Sequence, residues 1–356
     1  KFSMNFFLKK DIDEILNRSQ KQLYILKGKK VLLAGAKGFL GRYFNETIKE
    51  SNKIYDLNIK LTTVDNFISS NIKEIKENEN QENINFIEGD ICNPSFVSKF
   101  KNYDYIIHAA GIASPFYYRS KPLETVDVSI AGSRNLLELS KKYNSKFIFF
   151  SSSEIYGDPD PEKIPIQESY RGNVSTIGPR ACYDESKRLG ETLCHIYNTY
   201  YGIHTNIIRP FNIYGPGMQE HDFRVMPNFA SKIKSEKNLK LYGSATQTRT
   251  FCYITDALNG FLKVITNGSP GDPYNIGNPN PEITINELAD IFIKIASNRS
   301  SKDLIEYPDS YPADEPMRRC PDIKKAKIQL NFNPTVKLED GIRRFLSWTD
   351  KYYKGE

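Results

Sequence analysis

Short apolar runs recur along the chain between longer segments of mixed polarity. Val31-Leu32-Leu33-Ala34, Lys60-Leu61-Thr62-Thr63-Val64, Asn85-Phe86-Ile87, Tyr105-Ile106-Ile107-His108-Ala109-Ala110, Lys146-Phe147-Ile148-Phe149-Phe150 and Thr205-Asn206-Ile207-Ile208-Arg209 each read as a buried strand. Helix-like stretches lie between most of them, as at Ile130 to Tyr143 and Asp184 to Tyr201. Strands alternating with helices predict an α/β fold whose parallel sheet is covered on both faces. Ahead of this body, apolar Ile12, Ile15, Leu16, Leu23 and Leu26 stand among charges and predict an amphipathic helix, packed on the body or on a partner subunit. Beyond residue 210 the alternation fades and Gly and Pro become frequent, with helical stretches at Val225 to Ser235, Asp256 to Thr266, Ile285 to Ala296 and Leu338 to Lys351. That is the pattern of a smaller C-terminal substrate-binding lobe closing over a ligand at the carboxyl edge of the sheet. The division expected is an extension at 1–27, a nucleotide-binding domain at 28–210, and a lobe built mainly from 211–356 with segments interleaved into the domain.

Composition narrows the class. Of 356 residues, 39% are hydrophobic and 26% charged, and 21 Phe with 22 Tyr are too many for a disordered chain. No stretch approaches the ~18 apolar residues of a membrane span. The 49 Lys+Arg against 43 Asp+Glu leave a net charge of +6, which suits an anionic small molecule; without a dense basic cluster it does not suggest nucleic acid. Cys92, Cys182, Cys194, Cys252 and Cys320 are scattered and the four His supply no cluster, so neither a metal site nor a disulfide framework is expected. Reduced cysteines suggest a cytoplasmic protein. Lys1-Phe2-Ser3 reads as a short lead before a native Met4, and Phe6-Phe7-Leu8 is too short for a signal peptide. Residues 69 to 83, rich in Asn, Glu and Lys, read as a solvated surface excursion.

Chemistry enters at two places. Gly35-Ala36-Lys37-Gly38-Phe39-Leu40-Gly41 is a G-x-x-G-x-x-G element directly after the first strand and opening a helix. There glycines allow a tight turn and let backbone N–H groups and the helix N-terminus approach a pyrophosphate. Asp65, beside Asn66, ends the second strand, where a carboxylate accepts hydrogen bonds from ribose hydroxyls and favours NAD over NADP. Asp90-Ile91 ends the third strand on the adenine side, and Ala109-Ala110-Gly111 ends the fourth, small enough for cofactor to pass. This makes the fold a Rossmann-type doubly wound sheet. The second place is Tyr183-Asp184-Glu185-Ser186-Lys187, a Tyr-x-x-x-Lys pair on one helix face about 30 residues after Ser151-Ser152-Ser153-Glu154. An ammonium beside the phenol is expected to lower its pKa, so that Tyr183 takes a proton from a sugar hydroxyl with Ser152 sharing that hydroxyl. Tyr117-x-x-x-Lys121 matches the same spacing, but Pro122 disfavours a helix continuing through it.

Together these features resemble the extended short-chain dehydrogenase/reductase family over residues 29 to about 348. Longer strings resemble its UDP-glucuronate decarboxylase (UDP-xylose synthase) branch: Gly178-Pro179-Arg180-Ala181-Cys182-Tyr183-Asp184-Glu185, Arg209-Pro210-Phe211-Asn212-Ile213-Tyr214-Gly215-Pro216, Thr246-Gln247-Thr248-Arg249-Thr250-Phe251 and Arg318-Arg319-Cys320-Pro321-Asp322. The resemblance implies NAD, a nucleotide-sugar substrate and a homodimer formed through the Tyr-x-x-x-Lys helix, with Leu193, Cys194 and Tyr197 either on that face or on a core-facing stripe. It implies Tyr183, Lys187, Ser152, Ser153 and Glu154 as catalytic residues. Gly35, Gly38, Phe39, Leu40, Gly41, Asp65, Asn66, Asp90, Ile91, Ala109, Ala110, Gly111 and Pro210 would hold cofactor. Tyr118, Glu154, Arg180, Asn212, Arg224, Tyr242, Arg249 and Arg319 would meet substrate. Glu154, close to a substrate carboxylate, is expected to have a raised pKa and to orient water or shuttle protons at the sugar C5. The reaction implied is C4 oxidation, loss of CO2 from the β-keto acid and re-reduction, giving UDP-xylose or its 4-keto pentose. The alternatives are a nucleotide-sugar 4,6-dehydratase, a 4-epimerase, or a non-enzymatic nucleotide-sugar binding protein. Lys37 stands where the family usually has a small residue, and the chain departs from the branch at Ser186 and along His108-Ala109-Ala110-Gly111-Ile112-Ala113-Ser114.

Overall fold

The computed structural model describes residues 7–69, 82–306 and 315–355. The lead at Lys1 to Met4 and most of the 69–83 excursion lie outside them. Seven strands form one parallel sheet: β1 Lys30–Ala34, β2 Lys60–Asp65, β3 Ile84–Glu88, β4 Tyr105–His108, β5 Lys146–Phe150, β6 Thr205–Pro210 and β7 Pro273–Ile276. Their order is β7-β6-β5-β4-β1-β2-β3. The chain turns back on itself between β1 and β4, and a crevice opens at the carboxyl ends there, where doubly wound sheets bind ligands. Strand residues such as Val31, Leu32, Leu33, Ile106, Phe147 and Ile148 are buried on both faces, as a helix-covered sheet requires.

β7 was not among the six expected strands. Pro273-Tyr274-Asn275-Ile276 is short and half polar, and its identity comes from pairing with Ile207 to Pro210 on β6. The N-terminal helix Lys9–Ile25 lies on the body rather than projecting from it: Ile12, Ile15, Leu16 and Leu23 are buried in the main core, and the helix packs on Ile254–Asn267. Its buried Asp11 accepts hydrogen bonds from Tyr253 (2.6 Å) and Arg344 (3.0 Å), and its Arg18 pairs with Asp256 at 2.6 Å. The helix thereby holds two C-terminal segments, around Tyr253–Asp256 and around Arg344.

The Tyr-x-x-x-Lys helix runs Ala181–Tyr201. Its Cys194 and Tyr197 belong to the core under β4 and β5, with Leu193 packed against them, and Tyr197 donates to Glu138. That stripe faces the core. The second Tyr-x-x-x-Lys match is broken: helix Pro115–Ser120 ends at Lys121, and Pro122 opens a new one.

Candidate active site

At the cofactor end each glycine has a different physical reason. Gly35 sits at φ +84°, and a Cβ there would lie 2.4 Å from the Ala110 nitrogen, so only glycine lets the β1 and β4 ends close up. At Gly41 a Cβ would stand 2.1 Å from the Gly35 carbonyl oxygen, which fixes how closely helix Phe39–Tyr55 approaches the loop. Gly38 is the N-cap of that helix, and a Cβ there would meet only the Gly35 oxygen at 3.4 Å. Internal packing therefore does not demand glycine at 38, and the first turn of the helix, without a side-chain cap, is left open to close approach by a ligand. Phe39 and Leu40 turn their side chains into the core.

Asp65 ends β2 with both oxygens on its own loop, accepting from the Lys37 and Phe67 N–H groups at 2.8 Å each. Burial raises its pKa against those hydrogen bonds. The cap holds the carboxylate at the strand end, and each oxygen keeps a second lone pair for a ribose hydroxyl. Asn66 caps the Ile68 N–H and exposed Asp90 the Cys92 N–H, while Ile91 is buried. Ala109 hydrogen-bonds back to Ala34. Gly111 leaves room for Lys187, whose Nζ would be 3.1 Å from a Cβ there. A glycine cradle, a capped carboxylate and a small-residue β4 end fit a dinucleotide along this edge.

The Tyr-x-x-x-Lys pair expected to be catalytic lies beside it. Tyr183 and Lys187 are both buried, and Lys187 Nζ donates to the Phe150 carbonyl at 2.8 Å. Burial lowers the Lys187 pKa to about 8. The expected lowering of the Tyr183 phenol is reversed in this structure: burial pushes it up to about 12, although Ser152 hydrogen-bonds it in the lowering direction. Ser152 also caps the short helix Ser153–Tyr156 by accepting from the Glu154 N–H at 3.2 Å, and Ser153 is buried in that turn. The Tyr118 ring is stacked on Tyr183, with centroids 5.3 Å apart. Its hydroxyl is buried and makes no hydrogen bond among the described residues.

A cage of opposed charges adjoins this pair. Strand Arg318–Arg319 runs parallel to Thr248–Arg249 with Arg319 directly opposite Arg249. Like charges facing each other across a ladder are destabilising, so the register calls for anions. They are present: Arg319 and Arg180 each bond one oxygen of Glu154, while Glu315 bridges Arg249 and Arg180, the latter at 2.9 Å. Asp184 stands 3.6 Å from Arg180. The expected rise in the Glu154 pKa is therefore corrected. Burial does raise it, but Arg180, Arg319 and Arg249 outweigh burial and hold it at about 2. Asp184 moves the other way: burial and the Glu154 charge raise it to about 7 against the pull of Arg180.

The remaining expected substrate residues follow β6 in the chain. Arg224, at the start of helix Val225–Lys234, pairs with Asp222 at 2.5 and 2.7 Å, and its charge acts on Tyr183. Asn212, in a left-handed turn after β6 and Pro210, donates to the Thr250 carbonyl at 2.8 Å. Tyr242 ends strand Leu239–Tyr242, opposite Ile305. Two cage members escaped the sequence reading. Asp184 lies inside the Tyr-x-x-x-Lys motif, and its place one residue after Tyr183 is the signal that points to it. Glu315, next to Asp314 in a polar stretch, carries none. Among the described residues no group of three or more His, Cys, Asp or Glu gathers to hold a metal, and no helix is long and apolar enough to cross a membrane.

Comparison with known proteins agrees with this geometry. Residues 31–277 match the NAD dependent epimerase/dehydratase family. UDP-glucuronic acid decarboxylase 1 of Danio rerio is 35% identical over 320 residues, covering 90% of this chain and 72% of the relative. UDP-glucuronic acid decarboxylase 3 of Arabidopsis thaliana is 36% identical over 313 residues, covering 88% and 86%. Among solved structures, a UDP-glucuronic acid 4-epimerase from Bacillus cereus, in complex with NAD and a fluorinated UDP-glucuronic acid, is 26% identical with a TM-score of 0.78, covering 91% of this chain and 100% of that one. An epimerase from Methanothermobacter thermautotrophicus shares the fold at a TM-score of 0.82 and 23% identity, covering 95% and 97%. With its glycine cradle, capped Asp65 and Ser152/Tyr183/Lys187 set, the chain belongs to the NAD dependent epimerase/dehydratase family of extended short-chain dehydrogenase/reductases.

Proposed function

We propose that the chain is a NAD-dependent UDP-glucuronate decarboxylase that forms UDP-xylose or its 4-keto pentose. The observation that carries this reading is the arginine cage around Glu154, joined to the Ser152/Tyr183/Lys187 set. An acidic nucleotide sugar brings a carboxylate and a diphosphate, and guanidinium forks suit both. The relatives named UDP-glucuronic acid decarboxylases support the same reading.

Bound NAD⁺ supplies a reversible two-electron oxidation at the sugar C4 and a positive charge that favours the Tyr183 phenolate. Tyr183 Oη takes the proton of the C4 hydroxyl, which Ser152 helps to orient. Lys187, fixed on the Phe150 carbonyl, keeps an ammonium under the tyrosine. Once C4 is a ketone, the C5 carboxylate is β to it. The bond to CO2 breaks with its electrons moving into the carbonyl, and a proton then returns to C5. Glu154 is held ionised by Arg180 and Arg319, so it serves as an acceptor that orients water or the sugar and is a poor proton donor. Return of the two electrons to C4 gives UDP-xylose with no net redox change, whereas release of the 4-keto pentose would leave the cofactor reduced.

The residues of 28–210 supply the cofactor edge in this reading, and those of 211–356 supply Asn212, Arg224, Tyr242, Arg249 and Arg319 to the substrate. A homodimer fits the exposed Leu123, Leu189 and Tyr200 on neighbouring helices, and a reducing cytoplasmic setting fits five free cysteines. The test is a mass-spectrometric scan of nucleotide sugars with purified protein and NAD⁺. The reading expects CO2 and a UDP-pentose from UDP-glucuronate, and no turnover by Tyr183→Phe. Loss of water from a hexose, or a UDP-galacturonate product without CO2, would replace it with the dehydratase or epimerase reading.

A further inference from the structure

The cage poses a charge problem. Arg180, Arg249 and Arg319 stand against Glu154, Glu315 and Asp184, and all three arginines are buried. Three cations already facing Glu154, Glu315 and a partly protonated Asp184 keep only part of their attraction for an incoming anion. A substrate carboxylate or phosphate entering beside them would meet fixed negative charge in a poorly hydrated place, where repulsion is strong.

The partners differ in how firmly they are held. Glu154 is set in a short helix capped by Ser152, and each of its oxygens takes a different arginine. Asp184 lies on the long helix Ala181–Tyr201, buried among its neighbours. Glu315 lies on neither a helix nor a strand and is the most exposed of the three side chains, at 27% against 19% for Glu154 and 7% for Asp184. Yet its two oxygens bridge Arg180 and Arg249 as a bidentate ligand oxyanion would. Arg249 otherwise donates to the Thr248 carbonyl, while Arg180 also holds Glu154.

We infer that Arg180 and Arg249 form an oxyanion subsite for the nucleotide sugar and that Glu315 occupies it as an internal competitor, leaving when the substrate's carboxylate or phosphate arrives. This rests on the nucleotide-sugar reading above and adds an exchange to it. Glu315 is thus a positioning residue: it keeps two buried guanidiniums paired and oriented until substrate replaces it, and it sets a threshold that a neutral sugar cannot pass. The threshold is one charge-assisted bridge, worth roughly a tenfold change in affinity.

The experiment measures dissociation constants of UDP and of UDP-glucuronate by calorimetry on the NAD-loaded protein, for the natural chain, Glu315→Gln and Glu315→Asp. Glu315→Gln is expected to bind about tenfold more tightly, opposite to the usual result of mutating a binding site, and Glu315→Asp to stay within about twofold of the natural chain. Equal tightening for UDP and UDP-glucuronate identifies the diphosphate as the displacing group; tightening for UDP-glucuronate alone identifies the sugar carboxylate. Unchanged or weaker binding of both ligands by Glu315→Gln, with NAD affinity and melting temperature unchanged, would overturn the inference and make Glu315 a structural bridge. Should UDP-glucuronate prove not to be turned over, the functional reading fails, while the UDP arm still decides whether Glu315 competes.

Discussion

The role proposed for Lys187 opposes the stability of the fold, and the conflict can be measured. Burial drops its pKa from 10.5 to about 8, which at about 1.4 kcal/mol per pH unit is roughly 3 kcal/mol of folding free energy lost at neutral pH. The sign follows from proton counting. Below pH 8 both states carry the proton, and the folded state bears the full cost of a buried ammonium. Between about 8 and 10.5 the unfolded chain binds more protons, so stability rises with pH. Replacing the side chain in Lys187→Met removes that cost but strands the Phe150 carbonyl, which it now holds at 2.8 Å, at about 1 kcal/mol. The variant is therefore expected to be about 2 kcal/mol more stable than the natural chain at pH 7, about 1 kcal/mol less stable above pH 10.5, and inactive. Equilibrium urea unfolding of the cofactor-free proteins at both pH values gives the comparison. A variant less stable at pH 7, or a difference that does not change with pH, would refute the reasoning.

Other outcomes follow from the same geometry. Gly38→Ala should fold with a melting temperature near that of the natural chain yet lose at least about tenfold in NAD affinity by fluorescence titration, because only a ligand needs the space. Gly41→Ala, whose Cβ would stand 2.1 Å from the Gly35 oxygen, should lose about 2 kcal/mol or more of stability as well. Asp11→Ala, which strips Tyr253 and Arg344 of a buried partner, should cost about 2 kcal/mol in urea unfolding. With Glu154 ionised down to about 2 and Asp184 raised to about 7, the acid limb of the kcat/KM profile should belong to Asp184 and flatten in Asp184→Asn.

The parts of this molecule legible in its sequence are those whose signals are local. The loop after β1 announces itself because turn, strand and helix start lie within about a dozen residues, and Tyr183 and Lys187 because one helical turn brings them together. β7 was not legible: Pro273 and Asn275 weaken its pattern, and only its pairing with β6 makes it a strand. Nor was the environment of Glu154, since Arg180, Arg249 and Arg319 are gathered only by folding and by the register that sets Arg319 opposite Arg249. The direction of its pKa was accordingly misjudged from a substrate contact alone. Glu315 lies 161 positions from Glu154 in the sequence, and nothing in its neighbours marks it. The rise of the Tyr183 phenol has the same origin, because burial is set by Tyr118 and the core above it and not by the Lys187 spacing.

The central claim is that this site removes the sugar carboxylate. UDP-glucuronate carrying carbon-13 in its carboxyl group, incubated with the protein and NAD⁺, should release labelled CO2 in a one-to-one ratio with an unlabelled UDP-pentose. Label that stays in a UDP-hexuronate, whether epimerised or unchanged, would contradict it.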